Sequence, residues 1–331
     1  MTLIDRTTQF IDIPSVTGDE LSFALFLEAY LRELGWNVEL QDVAERRKNV
    51  FASLTPEPRV LFCTHLDTVP PFFPASIESD TIFGRGSCDA KGIIAAMIEA
   101  SESIKSKGES SHGLLFVVGE ETDSAGAKAS VRSGLRADFI IVGEPTNNKL
   151  ALGQKGSLSY TLRANGIAGH SAYPESGRSA IHALLSVLED IRGAHWGSDA
   201  LLGESTFNIG MLSGGQSANS IAAYAEAQVF HRLVDSLQKR KAQLEELLQG
   251  RVQIEFHAQN DPQQLHILEG YETTVVNFGS DVPYLRAIGV PLLIGPGSIL
   301  DAHTEKEKIS IKELTDAAKI YENLYFQLTK Q

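Results

Sequence analysis

Apolar positions along the chain follow two rhythms. Short unbroken apolar runs at residues 60–63, 114–118, 139–142 and 292–294 show no alternation. That is the signature of strands buried on both faces of a mostly parallel sheet. Residues 21–34 and 92–107 instead place apolar side chains at helical spacing and stop at Gly35 and Gly108, suitable helix ends. Strands alternating with helices predict a layered α/β domain with helices on both faces of the sheet. The middle of the chain has the other rhythm. Residues 157–164 (SLSYTLRA) alternate as a half-exposed strand does, and strand signals recur at 207–211, 224–234 and 252–257. Helical stretches at 179–192 and 236–248 lie among them, which predicts a smaller α+β unit. The α/β signals resume at Thr274, so the expected division is a larger domain of residues 1–155 and 264–331 with residues 156–263 inserted into it. The last predicted element is an amphipathic helix at 311–328.

Composition narrows the field. A chain of 331 residues fits two cores better than one. With 43% hydrophobic and 21% charged residues, disorder is not indicated. Twenty-nine Lys and Arg against 42 Asp and Glu give a net charge of −13, which disfavours nucleic acid and anionic membranes as partners. No apolar run approaches the roughly 20 residues that span a bilayer. The first residues carry acids where a signal peptide carries a basic region, and two cysteines, Cys63 and Cys88, make no disulfide framework. The expected location is the cytoplasm.

The chemistry lies just past the apolar runs. Run 60–64 leads into His65-Leu66-Asp67, run 114–118 into Gly119-Glu120-Glu121, and run 139–142 into Gly143-Glu144-Pro145. The last run leads, one loop later, to Ala302-His303. Ligands of open α/β sheets bind beyond the carboxyl ends of the strands, so these distant segments can converge. Asp89, at the mouth of the helix at 92–107, adds a carboxylate where the helix dipole favours an anion. Carboxylates gathered this closely repel one another unless cations intervene. Two histidines and several carboxylates without a thiolate set suit zinc, with cobalt or manganese as substitutes. A pair of cations needs a bridging carboxylate and ligands at each end, and makes a water nucleophilic near neutral pH.

The segments HLDTVP (65–70), GRGSCDAKG (84–92), GEETDSAG (119–126), VGEPT (142–146), GIAGHSAYP (166–174), GGQSANSIA (214–222) and DAHTEKE (301–307) resemble the M20 metallopeptidase family. That family includes acetylornithine deacetylase, succinyl-diaminopimelate desuccinylase and aminoacylases. The resemblance implies that Asp89 bridges two metals, with His65 and Glu144 completing one site and Glu121 and His303 the other. It makes Glu120 the general base and Asp67 the residue that orients the His65 ring. His170 would reach a neighbouring subunit's active site and stabilise the oxyanion, which makes the inserted domain a dimerising lid. Arg232 in VFHRL would grip a substrate carboxylate with its two-pronged guanidinium, with His231 beside it as the alternative. Asn219 would contact substrate or transition state. Here Asn219-Ser-Ile leads to Ala222, where the family often has a proline, so the shape of that loop departs from the pattern.

The activity so implied is two-metal hydrolysis of the amide bond of a small N-acyl amino acid of the ornithine, lysine or diaminopimelate type. It places the chain in amino-acid biosynthesis as a cytoplasmic homodimer. A dipeptidase or carboxypeptidase is the neighbouring alternative, and a catalytically silent metal-binding protein on the same fold is the alternative of another class.

Overall fold

The computed structural model describes residues 1–330 and divides into two compact units. The first comprises Met1–Leu152, Leu265–Thr274 and the chain from Ser280 onward; the second comprises Gly153–Gln264 and Val275–Gly279.

The first unit is built on a six-stranded sheet in the order Asn37–Ala44, Arg47–Ser53, His112–Val117, Val60–His65, Phe139–Val142, Val290–Leu293. The last four strands run parallel, and each of them carries all or most of one of the apolar runs of the sequence. Val60–His65 and His112–Val117 are buried at every position, as strands covered on both faces must be. The first two strands form an antiparallel edge that the sequence did not announce. From Val60–His65 the chain steps to one side, to His112–Val117, and then crosses to Phe139–Val142 on the other. This reversal puts the topological switch point of the sheet at the strand ending in His65.

Helix Lys91–Ser106 packs against the parallel strands and against the last helix, Ile311–Leu328. Eleven of its sixteen residues are buried, so it is an interior helix with apolar residues nearly all round. Leu21–Glu33 and Ala125–Arg132 pack on the antiparallel pair. One continuous core joins these elements, from Phe10 and Leu27 through Phe62, Met97 and Phe116 to Tyr321 and Leu328.

The second unit has a four-stranded antiparallel sheet in the order Thr206–Gly214, Tyr224–Leu233, Gly156–Asn165, Gln253–Asn260. Burial alternates along Tyr224–Leu233, so this sheet has one dry face and one wet one. Helices Ala180–Gly193 and Leu237–Leu248 supply Leu184, Val187 and Leu244 to a core shared with Tyr160, Leu162 and Trp196. Both helices start at a serine, Ser179 and Ser236, whose hydroxyl accepts a backbone N–H three residues on. A short ladder pairs Gly169–His170 with Ser220–Ile221. Among the described residues no helix is long and apolar enough to cross a membrane.

Candidate metal centre

His65 is the last residue of its strand and is buried. Its Nδ1 lies 2.8 Å from the backbone carbonyl oxygen of Asp67, so that nitrogen carries the hydrogen and donates it. Nε2 is thereby left facing Asp89 Oδ1 at 2.9 Å. Two lone pairs at that separation repel unless a cation lies between them. A proton meets the demand: burial opposes charge on His65, but the hydrogen bond to Asp89 and the surrounding carboxylates hold its pKa well above the usual imidazole range. A divalent cation meets the same demand, and the chemistry of the donor set fits one.

His303 approaches the cluster from the loop after Val290–Leu293. Its Nε2 lies 3.0 Å from the Glu121 carboxylate and 3.4 Å from Asp89 Oδ2. Asp89 thus turns one oxygen to each imidazole, as a residue shared between two cations does. Hydrogen bonds to Asp89 and Glu121 push His303 up to about 10. Its backbone sits in the left-handed region at φ +63°, uncommon for a residue with a side chain and costing about 1 kcal/mol. Ligand atoms of His65, Asp89 and Glu121 all fall within 4.8 Å of one another. Glu144 is buried, and burial raises its carboxyl well above the usual range against the pull of His65. Burial and the charge of Glu144 do the same to Glu120.

Asp67 contacts the His65 ring, as expected, but through its main chain. Its backbone carbonyl, not its side chain, holds the His65 ring; the nearer carboxylate oxygen is 3.7 Å from Nδ1. The carboxylate instead accepts the backbone N–H groups of Gly119, Glu120 and Glu121 at 2.9, 3.2 and 3.3 Å, and the Thr17 hydroxyl at 2.9 Å. Asp67 therefore fixes the loop that carries Glu120 and Glu121. The turn at Gly119 favours glycine: φ is +80°, and a Cβ there would push on Arg47 Nη2 at 2.6 Å and Asp123 Oδ1 at 2.8 Å.

Three buried residues beside the cluster were not singled out from the sequence. Asp281 starts the short helix Val282–Leu285, and burial pushes its carboxyl up to about 6 against the Ser124 hydroxyl and the His65 charge. Arg85 and Glu307 pair at 2.7 Å directly behind Asp89. Both belong to quoted motifs, GRGSCDAKG and DAHTEKE, which was the available signal.

The remaining expected site residues belong to the second unit. His170 lies on the short ladder and Asn219 in the turn just before its second strand: Ser171 N–H donates to the Asn219 carbonyl at 3.1 Å, and both side chains are exposed. His170 Nδ1 accepts the Ala172 N–H at 3.1 Å. Arg232 is partly buried on Tyr224–Leu233, its guanidinium 4.5 Å from the centre of the Phe230 ring. His231 points the other way, into the core against Trp196, Phe207 and Tyr160.

Residues 61–327 match the model of peptidase family M20/M25/M40. A peptidase M20 domain-containing protein of Schizosaccharomyces pombe is 39% identical over 97% of this chain and 84% of its own length. A probable carboxypeptidase of Aspergillus terreus is 36% identical over 95% of this chain and 83% of its own. The crystal structure of a tripeptidase from Staphylococcus aureus superposes with a TM-score of 0.85 at 20% identity, covering 99% of this chain and 98% of that one, which shows a shared fold. With its imidazoles and carboxylates gathered at the carboxyl ends of parallel strands, the chain belongs to peptidase family M20/M25/M40, hydrolases of amide bonds.

Proposed function

We propose that this protein is a two-metal hydrolase that cleaves an amide bond adjacent to a free carboxylate in a short peptide or N-acyl amino acid. One observation carries the reading: Asp89 offers its two oxygens to His65 and His303 at 2.9 and 3.4 Å, with Glu121 3.0 Å from His303. His65, Asp89 and Glu144 would hold one ion, and Asp89, Glu121 and His303 the other. Zinc suits the donors, and cobalt or manganese would substitute. Ions held there would polarise the substrate carbonyl and ease deprotonation of water.

The residues of the chain supply the rest. Glu120, pinned through its backbone by Asp67, takes a proton from the attacking water and returns it to the leaving amine nitrogen. Burial and the charge of Glu144 raise its carboxyl pKa, which favours holding the proton it takes from the water. Arg232 offers a guanidinium fork for the substrate carboxylate. We assign His170 and Asn219 to the oxyanion and transition state, supported by the family resemblance and by their exposed side chains on adjoining segments.

The carboxypeptidase name of the Aspergillus relative favours a C-terminal peptide bond over the acyl-ornithine type expected from the sequence. A homodimer is supported by the edge strand Thr206–Gly214, which leaves Met211 and Leu212 61% and 57% exposed. Buried, unpaired Cys63 and Cys88 support a cytoplasmic location.

The test is turnover of dipeptides, N-acetyl and N-succinyl amino acids by protein loaded with zinc or cobalt. Glu120→Ala is expected to keep both ions while kcat falls about 10²–10⁴-fold. Near-normal turnover by that variant would refute the base assignment.

A further inference from the structure

Behind Asp89 lies an ion pair closed off from water. Arg85 and Glu307 are 1% and 0% exposed, and Arg85 Nη1 donates to Glu307 Oε2 at 2.7 Å. Removing two charges from water is costly, and an apolar pair of the same volume often does as well for stability. The partners explain what the charges do instead. Glu307 Oε1 accepts three backbone N–H groups, from Gly86 at 3.0 Å, Cys88 at 3.2 Å and Asp89 at 3.1 Å. Three of the four backbone N–H groups from Gly86 to Asp89 are thus held by one carboxylate. Arg85 anchors the other side: Nε donates to the Pro71 carbonyl at 3.2 Å, and the guanidinium stacks 5.0 Å from the Phe73 ring centre.

The backbone repeats the connection. Gly84 N–H donates to the Glu307 carbonyl at 3.1 Å, and the ladder continues as Lys308–Ser310 pairs with Thr81–Phe83. Glu307 follows His303 by four residues, and Arg85 precedes Asp89 by four. The two loops that bring Asp89 and His303 together are therefore joined by this buried charge pair and by the backbone ladder beside it.

We propose that Arg85 and Glu307 are positioning residues that set the Asp89 carboxylate against His303 and so fix the geometry of the second cation. This rests on the reading of Asp89 and His303 as metal ligands. Glu307 touches no substrate on this account; it acts through the backbone of residues 86–89.

The experiment is calorimetric titration of chelator-treated protein with Co(II), together with the visible absorption spectrum of the cobalt form. In Glu307→Gln an amide NH2 must face either the three backbone donors or the Arg85 guanidinium. The expected result is a 10–100-fold weaker affinity for one of the two ions and an altered cobalt spectrum. A merely structural role would lower the melting temperature of the chelator-treated protein and leave both readouts at the wild-type value. Arg85→Lys keeps the charge, loses the fork, and is expected to weaken the same ion about tenfold or less. Should Glu307→Gln fail to fold, Arg85→Lys decides. Wild-type affinity and spectrum in the folded variants would overturn the inference. Wild-type protein that binds no cobalt would overturn the two-metal reading itself, a separate outcome.

Discussion

The two units bury histidine in opposite ways. In the second unit His231 is fully buried, 4.3 Å from the Trp196 ring and flanked by Phe207, with the Tyr160 hydroxyl 2.9 Å from its Nε2. Burial pushes it down to about 4, so it is neutral. In the first unit His65 is just as buried, yet its pKa is held well above the usual range by Asp89 and nearby acids. His112, also in the first unit, behaves like His231: it sits edge-on to Trp36 and Tyr325, and burial lowers it to about 4. Burial alone therefore neutralises an imidazole in either unit. What separates His65 is its set of anionic partners, and the same partners suit a cation.

The comparison breaks most visibly at the cluster. His65→Ala removes the imidazole but leaves the carboxylates, and metal and activity are expected to go together. A fall in kcat/KM of about 10³-fold matches the several kcal/mol a bound cation supplies, and metal analysis beside kinetics checks it. Gly119→Ala would force a Cβ against Arg47 and Asp123 at positive φ, costing about 1–3 kcal/mol and displacing Glu120. Its kcat is expected to drop roughly 10–100-fold with the melting temperature lowered.

The neutral histidines give a pH test. Their native pKa values of about 4 lie below the 6.5 of an unconstrained imidazole, so the native state binds fewer protons than the unfolded one. The stability concerned is present above pH 6.5 and is lost as pH falls through 4. Each residue is worth up to about 3 kcal/mol across that window. Calorimetric melting should show the loss, and His231→Gln, which keeps an acceptor for Tyr160, should reduce it. The smallest effect is expected from Leu212→Lys on the exposed edge strand: stability changes by about 0.5 kcal/mol or less, while sedimentation shows the proposed dimer weakened.

How much the sequence disclosed depended on whether a residue's surroundings leave a local mark. Continuous apolar runs marked the four parallel strands, because burial on both faces leaves no polar positions to interrupt them. The final helix, Ile311–Leu328, was legible to its bounds, with Ser310 as its cap. Asn37–Ala44 was not, since only one of its eight positions is fully buried and an exposed edge strand carries no strong period. That His65, Asp89, Glu121 and His303 would meet could be read from residue types that follow the strands in order, and their side chains do lie together. The partner of Asp67 at His65 was legible, but its grip on residues 119–121 was not, because a carboxylate that accepts backbone N–H groups has no sequence signature. Arg85 and Glu307 were passed over because charged residues in glycine-rich or polar runs are ordinarily solvated, and only the fold encloses them.

The central claim is tested most directly by counting metal in purified, zinc-loaded protein and in Asp89→Ala. Close to two ions per chain are expected in the wild type, with loss of both tight sites when the shared carboxylate is removed. Two tightly held ions in Asp89→Ala, or full activity in wild-type protein stripped of divalent metal, would contradict it.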